Sequence, residues 1–340
     1  MKKFPTLLIL LATSIAFSAT SFAADTINGA GATFPFPLYS KWFSEYRKVD
    51  SSVEINYQSI GSGGGIRQLL DKTVDFGASD APMTDEQLAK STTPIFHIPT
   101  VLGAVVITYN LPEVKSPLQL TPEVVADAFL GKITKWNDEK IQKLNPKAKL
   151  PDTAIMIVHR SDGSGTSAVF TDYLSKVSPE WKEKVGTSTS VKWPAGLGGK
   201  GNEGVTGLLK QSPGALGYVE LTYAISNQLP TALLKNKAGK FVEATTQSVT
   251  AAAAASAKSM PKDFRVSITN AEGKDAYPIS SFTYLLVYGK MDAKKGSKIT
   301  AFMNWALNGG QDMAEPLHYA PLPKHMISAV KSRISEIKSE

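Results

Sequence analysis

Apolar, β-branched runs alternate with segments of helical periodicity along most of the chain. Residues 53–60 and 74–79 have strand-like patterns, and residues 65–72 between them have the apolar spacing of a short helix. A regular alternation of strands and helices favours open, largely parallel sheets flanked by helices. Ligands of such sheets bind beyond the carboxyl ends of the strands, so the turns at these ends are where candidate chemistry is expected.

Capping residues place further elements. Thr84 and Gln87 form a capping-box pattern for a helix that reaches about Lys90. Thr121 followed by Pro122 marks another helix start. The remaining patterns predict one or two buried strands in residues 94–109, a strand in 281–288, helices in 38–46, 251–255 and 297–307, and an amphipathic end at 326–337.

The N-terminus has the pattern of a secretory signal peptide. Lys2 and Lys3 precede an apolar stretch, and Ser21-Phe22-Ala23 supplies the small residues that a signal peptidase reads. We therefore predict a signal peptide at residues 1–23. The chain has no cysteine and no later run of about 18 apolar residues, which predicts a free periplasmic protein without a disulfide or a direct membrane anchor.

Composition and charge narrow the class of partner. The composition, with 42% hydrophobic and 20% charged residues, is typical of a globular protein. The length of 340 residues favours two domains. The formal net charge of +7 is spread along the sequence, with no dense Lys/Arg tract. This favours a mildly basic solvated surface over a nucleic-acid groove. Neither a cofactor motif nor His/Asp/Glu residues at metal-ligand spacing are evident.

Residues 155–174 have the pattern of an anion site. A β-branched strand ends at Arg160, a turn rich in Gly and Ser follows, and a helix begins near Thr166. Unpaired N–H groups in the first turn of a helix attract negative groups, and Arg160 offers a planar fork of donors. Gly163 and Gly165 allow a close backbone approach. A capped helix start without any ligand is the alternative interpretation of this segment.

Three other turns share this chemistry. Residues 29–37, with Thr33 and Phe34, and residues 60–65, with Ser62, each lie between a strand-like and a helix-like segment. Asp80 ends the strand at 74–79. Each turn alone is consistent with ordinary turn chemistry, including an Asx-turn at Asp80. Their recurrence at successive strand ends favours one shared anion site.

Seven segments of the sequence resemble a known family. They are GAGATFPFPLYSKW, INYQSIGSGGGIRQLL, VDFGASDAPMTDEQLA, LGKITKWND, RSDGSGTS, VKWPAGLGGKGNEGV and PGALGYVE. All of them look like segments of the periplasmic phosphate-binding proteins of Pst ABC transporters, a family of two-lobed solute-binding proteins. The resemblance covers nearly all of the chain beyond the signal peptide. It departs locally at Gly63, where a second serine is common.

The resemblance implies a fold and a binding function. The expected fold is two α/β lobes, each with a central, mostly parallel sheet flanked by helices, joined by a hinge. It implies a discontinuous first lobe at residues 24–109 and 279–340, and a second lobe at 110–278. The family binds inorganic phosphate without chemical change and delivers it to the transmembrane permease subunits of an ABC importer, so we expect a monomeric receptor and no enzyme.

The resemblance also implies the ligand contacts. Carried onto this sequence, the phosphate-binding residues are Thr33, Phe34, Ser62, Asp80, Arg160, Ser164, Gly165 and Thr166. Asp162 matches the acidic residue that orients the binding arginine. The chemistry of Asp80 explains selectivity, because phosphate near neutral pH retains a proton that it can donate to a buried carboxylate, and sulfate does not.

Two other functions are less consistent with the sequence. An exported phosphohydrolase could use the same cradle, but it needs a nucleophile with an activating base or a metal, and the four histidines form no motif with Ser164. An exported adhesive or structural protein would need no anion cradle. Residues 196–201, GLGGKG, lack the spacing of a phosphate loop and are interpreted as a flexible loop. His159 either lines the surface near Arg160 or fills a strand end.

Overall fold

The computed structural model describes residues 24–256 and 260–340. The predicted signal peptide at residues 1–23 lies outside the described residues. The strands are β1 (Asp25–Gly31), β2 (Val53–Ser59), β3 (Phe76–Ser79), β4 (Ile95–Tyr109), β5 (Gln119–Leu120), β6 (Met156–Arg160), β7 (Leu197–Gly199), β8 (Ala215–Glu220), β9 (Leu233–Lys235), β10 (Phe241–Val242), β11 (Ser280–Tyr288), β12 (Lys290–Met291) and β13 (Lys338–Ser339).

Helices separate most of these strands, as the alternating pattern predicts. They are α1 (Phe36–Val49), α2 (Ser62–Leu70), α3 (Asp85–Leu88), α4 (Pro122–Phe129), α5 (Glu139–Leu144), α6 (Gly165–Val177), α7 (Pro179–Lys184), α8 (Gly201–Gln211), α9 (Leu221–Ser226), α10 (Thr246–Ser256), α11 (Ala293–Ala306) and α12 (Lys324–Ser335). Two short 3-10 helices, Gln311–Met313 and Glu315–Leu317, precede α12. Among the helices of the described residues, none is both long and apolar enough to cross a membrane.

An eight-stranded mixed sheet runs through the molecule in the order β2-β1-β3-β11-β4-β8-β6-β7. β1 pairs in parallel with β2 and β3 at one end, and β6 pairs in parallel with β7 and β8 at the other. Antiparallel pairs involving β4 and β11 join the two parallel groups. Smaller sheets contain β10-β9-β5 and β12-β13.

Strand β4 changes its partner along its length. Its first part pairs with β11 as far as Ala104, and its last five residues pair with β8 from Val105 onwards. Nearly all of its side chains are buried, which explains the continuous apolar run in this segment. This one strand therefore connects the two halves of the sheet.

Several predicted boundaries agree with the structure. Thr84 and Gln87 form the predicted capping box, although α3 extends only to Leu88, and the Thr121 hydroxyl accepts from the N–H of Val124 at the start of α4. The predicted strand region at 94–109 contains the single strand β4, which begins at Ile95. Helix α2 begins at Ser62, three residues before the predicted start, and its Gly63 and Gly65 lie against the backbone of Gly163 and Ala30, where a Cβ atom has little room.

The interpretation of GLGGKG as a flexible loop was wrong. Leu197, Gly198 and Gly199 form β7, which pairs in parallel with β6, and α8 starts at Gly201. Gly201 has a φ of +70°, a conformation that glycine adopts without strain. The segment thus forms one more junction between a strand and a helix.

Candidate anion-binding site

The carboxyl ends of strands from both parallel groups and the N-termini of four helices converge in one region. Strands β1, β3 and β6 end there, and helices α1, α2, α6 and α8 begin there. The two sides meet directly, since the N–H of Gly63 on α2 donates to the carbonyl oxygen of Gly163 before α6 at 2.8 Å. The junctions predicted to share a site therefore do lie together.

Arg160 is held by a two-point ion pair. Its Nε donates to Asp162 Oδ1 at 2.8 Å and its Nη2 to Asp162 Oδ2 at 2.6 Å. The Arg160 side chain is only 1% exposed. Burial opposes ionisation of Asp162, but the hydrogen bonds and charge of Arg160 outweigh it and hold the pKa of Asp162 below its usual value. Asp162 also accepts from the N–H of Gly201, so it fixes the guanidinium against α8.

Asp80 supplies a buried acceptor at the end of β3. Its Oδ1 accepts from the Thr283 hydroxyl at 2.9 Å, whereas its Oδ2 has no hydrogen-bond partner among residues 24–256 and 260–340. The residue is 1% exposed. Burial raises the pKa of Asp80 to about 7, although the Thr283 hydrogen bond, the charge of Arg160 and the neighbouring Ser62 hydroxyl favour the carboxylate. A partner that donates a hydrogen bond to Oδ2 would relieve this cost.

Gly165 brings the start of α6 close to Asp80. A Cβ atom at Gly165 would collide with Ser62 Oγ and Asp80 Oδ2, so only glycine fits there. The Ser62 hydroxyl accepts from the N–H of Asp80 at 3.3 Å. Ser164 caps α6, because its hydroxyl accepts from the N–H of Ser167 at 3.0 Å. The hydroxyl hydrogens of Ser62 and Ser164 are available to another acceptor.

Thr33 and Phe34 lie in the turn between β1 and α1, close to the start of α8. The Thr33 hydroxyl accepts from Asn202 Nδ2 at 2.7 Å, and the Thr33 carbonyl accepts from the Tyr223 hydroxyl at 2.6 Å. Phe34 is fully buried, and its ring lies against Gly103 of β4, where a Cβ would come within 2.6 Å of the ring. The Phe34 carbonyl accepts from the Tyr319 hydroxyl.

The predicted residues thus form one connected region, which contains the Arg160 guanidinium with its partner Asp162, several hydroxyl groups and the buried carboxylate of Asp80. The predicted set is Thr33, Phe34, Ser62, Asp80, Arg160, Asp162, Ser164, Gly165 and Thr166. Cationic and hydroxyl donors around one buried acceptor suit a small oxyanion that carries a proton.

Sequence analysis missed three residues that hold the site. Asn202 bonds to both Thr33 and Thr166, Glu220 donates its N–H to Asn202 Oδ1, and Thr283 donates to Asp80. Asn202 follows a glycine-rich turn at a strand-to-helix junction, which is the signal used for the other turns. Thr283 lies inside a buried strand and carries no such signal.

His159 lies beside the site without facing it. Its ring stacks on Trp193 with centroids 4.8 Å apart, and its Nδ1 lies 3.0 Å from the carbonyl oxygen of Arg160. Within the described residues, no hydrogen bond joins a histidine to Ser62, Ser164 or Thr166.

Comparison with known sequences identifies the family. A model described as a PBP superfamily domain matches residues 17–309. The phosphate-binding protein PstS of Pasteurella multocida is 47% identical over 334 residues, covering 97% of this chain and 96% of that protein. The chain belongs to the PstS family. Another member, from Haemophilus influenzae, is 46% identical over 312 residues and covers 91% of this chain and 92% of that protein.

A solved structure agrees with this PstS assignment at the level of the fold. The phosphate-binding protein from Stenotrophomonas maltophilia has a TM-score of 0.68 and 20% identity, covering 91% of this chain and 94% of that one. The chain has the two-lobed α/β fold of periplasmic binding proteins, which confirms the predicted fold class.

Proposed function

We propose that this PstS-family chain binds inorganic phosphate and delivers it to the transmembrane permease of an ABC importer. The observation that carries this proposal is Asp80 Oδ2, a buried carboxylate oxygen with no partner within residues 24–256 and 260–340. It faces a region otherwise supplied with donors, including Arg160. The names of the curated relatives support a binding protein over a phosphohydrolase.

The proposed ligand contacts are the predicted residues. In this proposal the hydroxyl, backbone and guanidinium donors surround three phosphate oxygens, and the fourth oxygen donates its proton to Asp80. In this arrangement, the occupied site holds one proton between the Asp80 carboxylate and the ligand. The proposed contacts are Thr33, Phe34, Ser62, Asp80, Arg160, Ser164, Gly165 and Thr166, with Asp162 orienting Arg160.

The proposal includes a cellular setting and a domain organisation. Cleavage after Ala23 would release a monomeric, unanchored receptor into the periplasm. We assign residues 24–109 and 279–340 to the first lobe and residues 110–278 to the second. The partner change in β4 and the neighbouring end of β11 support a crossover in this region, because both strands pass between the two parallel groups of the sheet.

Calorimetric titration of the mature chain with phosphate, arsenate and sulfate tests the function. We expect saturable binding of phosphate and arsenate, which both retain a proton, and rejection of sulfate by roughly 10⁴-fold or more. Equal affinity for sulfate would contradict the role of the buried acceptor. Turnover of a phosphomonoester by the purified chain would instead support the hydrolase alternative.

A further inference from the structure

Asn202, fully buried at the start of α8, has a side-chain orientation that the structure defines. Its Oδ1 accepts from the backbone N–H of Glu220 at 3.0 Å. A backbone N–H can only donate, so the oxygen of the amide must face Glu220 and the NH₂ group must face the opposite side. There the NH₂ group donates to Thr33 Oγ1 at 2.7 Å and to Thr166 Oγ1 at 3.1 Å.

Each of the two threonine hydroxyls receives a second donor. Thr33 Oγ1 also accepts from the backbone N–H of Asn202 at 3.2 Å, and Thr166 Oγ1 accepts from Arg160 Nη1 at 3.3 Å. A hydroxyl oxygen has two lone-pair sites and one hydrogen. Both oxygens are therefore saturated as acceptors, and each hydroxyl can act only as a donor to any further partner.

We propose that Asn202 is a positioning residue that determines specificity, because it fixes the Thr33 and Thr166 hydroxyls as donors toward the bound oxyanion. This inference rests on the proposed phosphate function. As a result, the Thr33 and Thr166 hydroxyls can only donate to the ligand. A ligand proton is therefore accepted by Asp80 and by neither threonine. Without the Asn202 amide, both hydroxyls regain a lone pair and can accept a second ligand proton.

Several charged and titratable groups surround this network in the wild type and in every variant. Asp80 lies on the β3 side, Arg160 and Asp162 at the end of β6, Glu203 on α8, and Glu220 with Tyr319 behind Asn202. Tyr223 donates to the Thr33 carbonyl and to Glu203. A test must therefore compare the pH dependence of a variant with that of the wild type rather than use either alone.

The first part of the test is a mutant cycle. Asn202→Ala should weaken phosphate binding about tenfold to a hundredfold at about pH 8.5, because two donors to the anion lose their orientation. In the Thr33→Val/Thr166→Val background, the same change should cost less than about threefold, because no hydroxyl remains to be oriented. If the full loss persists in that background, Asn202 does not act through the threonines and the inference fails.

The second part separates orientation from packing. Dissociation constants are measured at about pH 8.5, where inorganic phosphate is mostly dibasic, and at about pH 5.5, where it is mostly monobasic. Asn202→Ala should weaken binding at least about threefold more at the higher pH, since freed hydroxyls can accept the extra proton of the monobasic ion. A merely structural role would weaken binding by the same factor at both pH values, and that result overturns the inference.

Controls keep the test decisive. Asn202→Ser leaves a smaller cavity and should shift the pH ratio in the same direction if Asn202→Ala folds poorly. Asn145→Ala removes another buried amide and should leave the pH ratio unchanged. Among the described residues, the Asn145 side chain bonds to backbone groups of Gln119 and Ile141 and to none of the site residues. Failure of the wild-type chain to bind phosphate would refute the proposed function, whereas wild-type binding with an unshifted variant ratio refutes this inference alone.

Discussion

At the scale of single residues, the site buries a cation and a carboxyl group, and one ligand can offset the desolvation cost of both. Arg160 is a buried cation whose fork is matched by Asp162, and Asp80 is a buried acid with one oxygen unpartnered among the described residues. Desolvation makes an unpaired buried polar group expensive, and a charge-assisted hydrogen bond recovers that cost. A protonated oxyanion satisfies both residues at once, which links their geometry to the proposed selectivity.

Replacing Arg160 tests the guanidinium fork. Arg160→Lys should weaken phosphate binding by about one to two decades, because an ammonium cannot bond to Asp162 at two points and also reach Thr166. Isothermal titration at fixed salt measures the change. Arg333→Lys on α12, where the guanidinium stacks on Phe96, is the matched control and should leave the affinity unaltered. Equal affinities for wild type and Arg160→Lys would remove Arg160 from the site.

The raised pKa of Asp80 predicts a pH-dependent stability in phosphate-free buffer. The folded pKa of about 7 lies above the ordinary carboxyl value of 3.8, so the folded state binds the proton more tightly than the unfolded state. Stability is therefore lost as pH rises through that window, by up to about 4 kcal/mol, and Asp80→Asn removes this loss. In denaturant unfolding from about pH 4 to pH 8, the free energy of unfolding of Asp80→Asn should rise relative to that of the wild type as the pH increases. If the free energies of unfolding of wild type and variant change with pH in parallel, Asp80 does not ionise in a buried position as described.

At the scale of elements, glycine-rich and hydroxyl-rich turns after strands could be predicted from the sequence. Within each parallel group, the shared location of these turns follows from strands that end at one edge, but the meeting of the two groups does not. The start of α2 could not be predicted from the sequence, because glycines usually favour turns over helices. Here the nearby backbone of Ala30 leaves room only for a glycine at position 65. The roles of Asn202 and Thr283 could not be predicted for a related reason. Their roles arise from contacts between segments far apart in sequence, which local patterns do not encode.

A pair of helix glycines tests this packing argument. A Cβ at Gly65 would lie 2.5 Å from the carbonyl oxygen of Ala30, so Gly65→Ala should destabilise the fold by about 1 to 3 kcal/mol. Gly207 lies inside α8 with nothing within 4 Å of its Cβ position, so Gly207→Ala should be neutral or stabilise by up to about 1 kcal/mol. Chemical denaturation compares the two. Equal effects would show that α2 does not pack as described.

At the scale of the whole molecule, hydrogen bonds across the cleft join the two proposed lobes. Asn202 and Tyr223 of the second lobe bond to Thr33 of the first, and the Thr222 hydroxyl donates to the Leu317 carbonyl. The same Thr33 belongs to the proposed ligand contacts. Ligand binding and lobe closure are therefore expected to be coupled through shared residues.

This coupling predicts a change in overall dimensions. Saturating phosphate should lower the radius of gyration of the mature chain in small-angle X-ray scattering, because bonds to Thr33 form as the lobes close. Tyr223→Phe removes one of these bonds and should weaken phosphate binding by about two- to tenfold. Identical scattering with and without phosphate would show that binding requires no closure.

The most direct test of the central claim is competition between phosphate and sulfate on wild type and Asp80→Asn at one pH and salt concentration. The wild type should prefer phosphate by roughly 10⁴-fold or more. Asp80→Asn should narrow this ratio by at least about tenfold, because an amide can donate to sulfate and carries no repelling charge. Asp152→Asn, at an exposed carboxylate paired with Lys135, serves as the control and should keep the wild-type ratio. If Asp80→Asn rejects sulfate as strongly as the wild type does, Asp80 is not the group that reads the proton of the ligand.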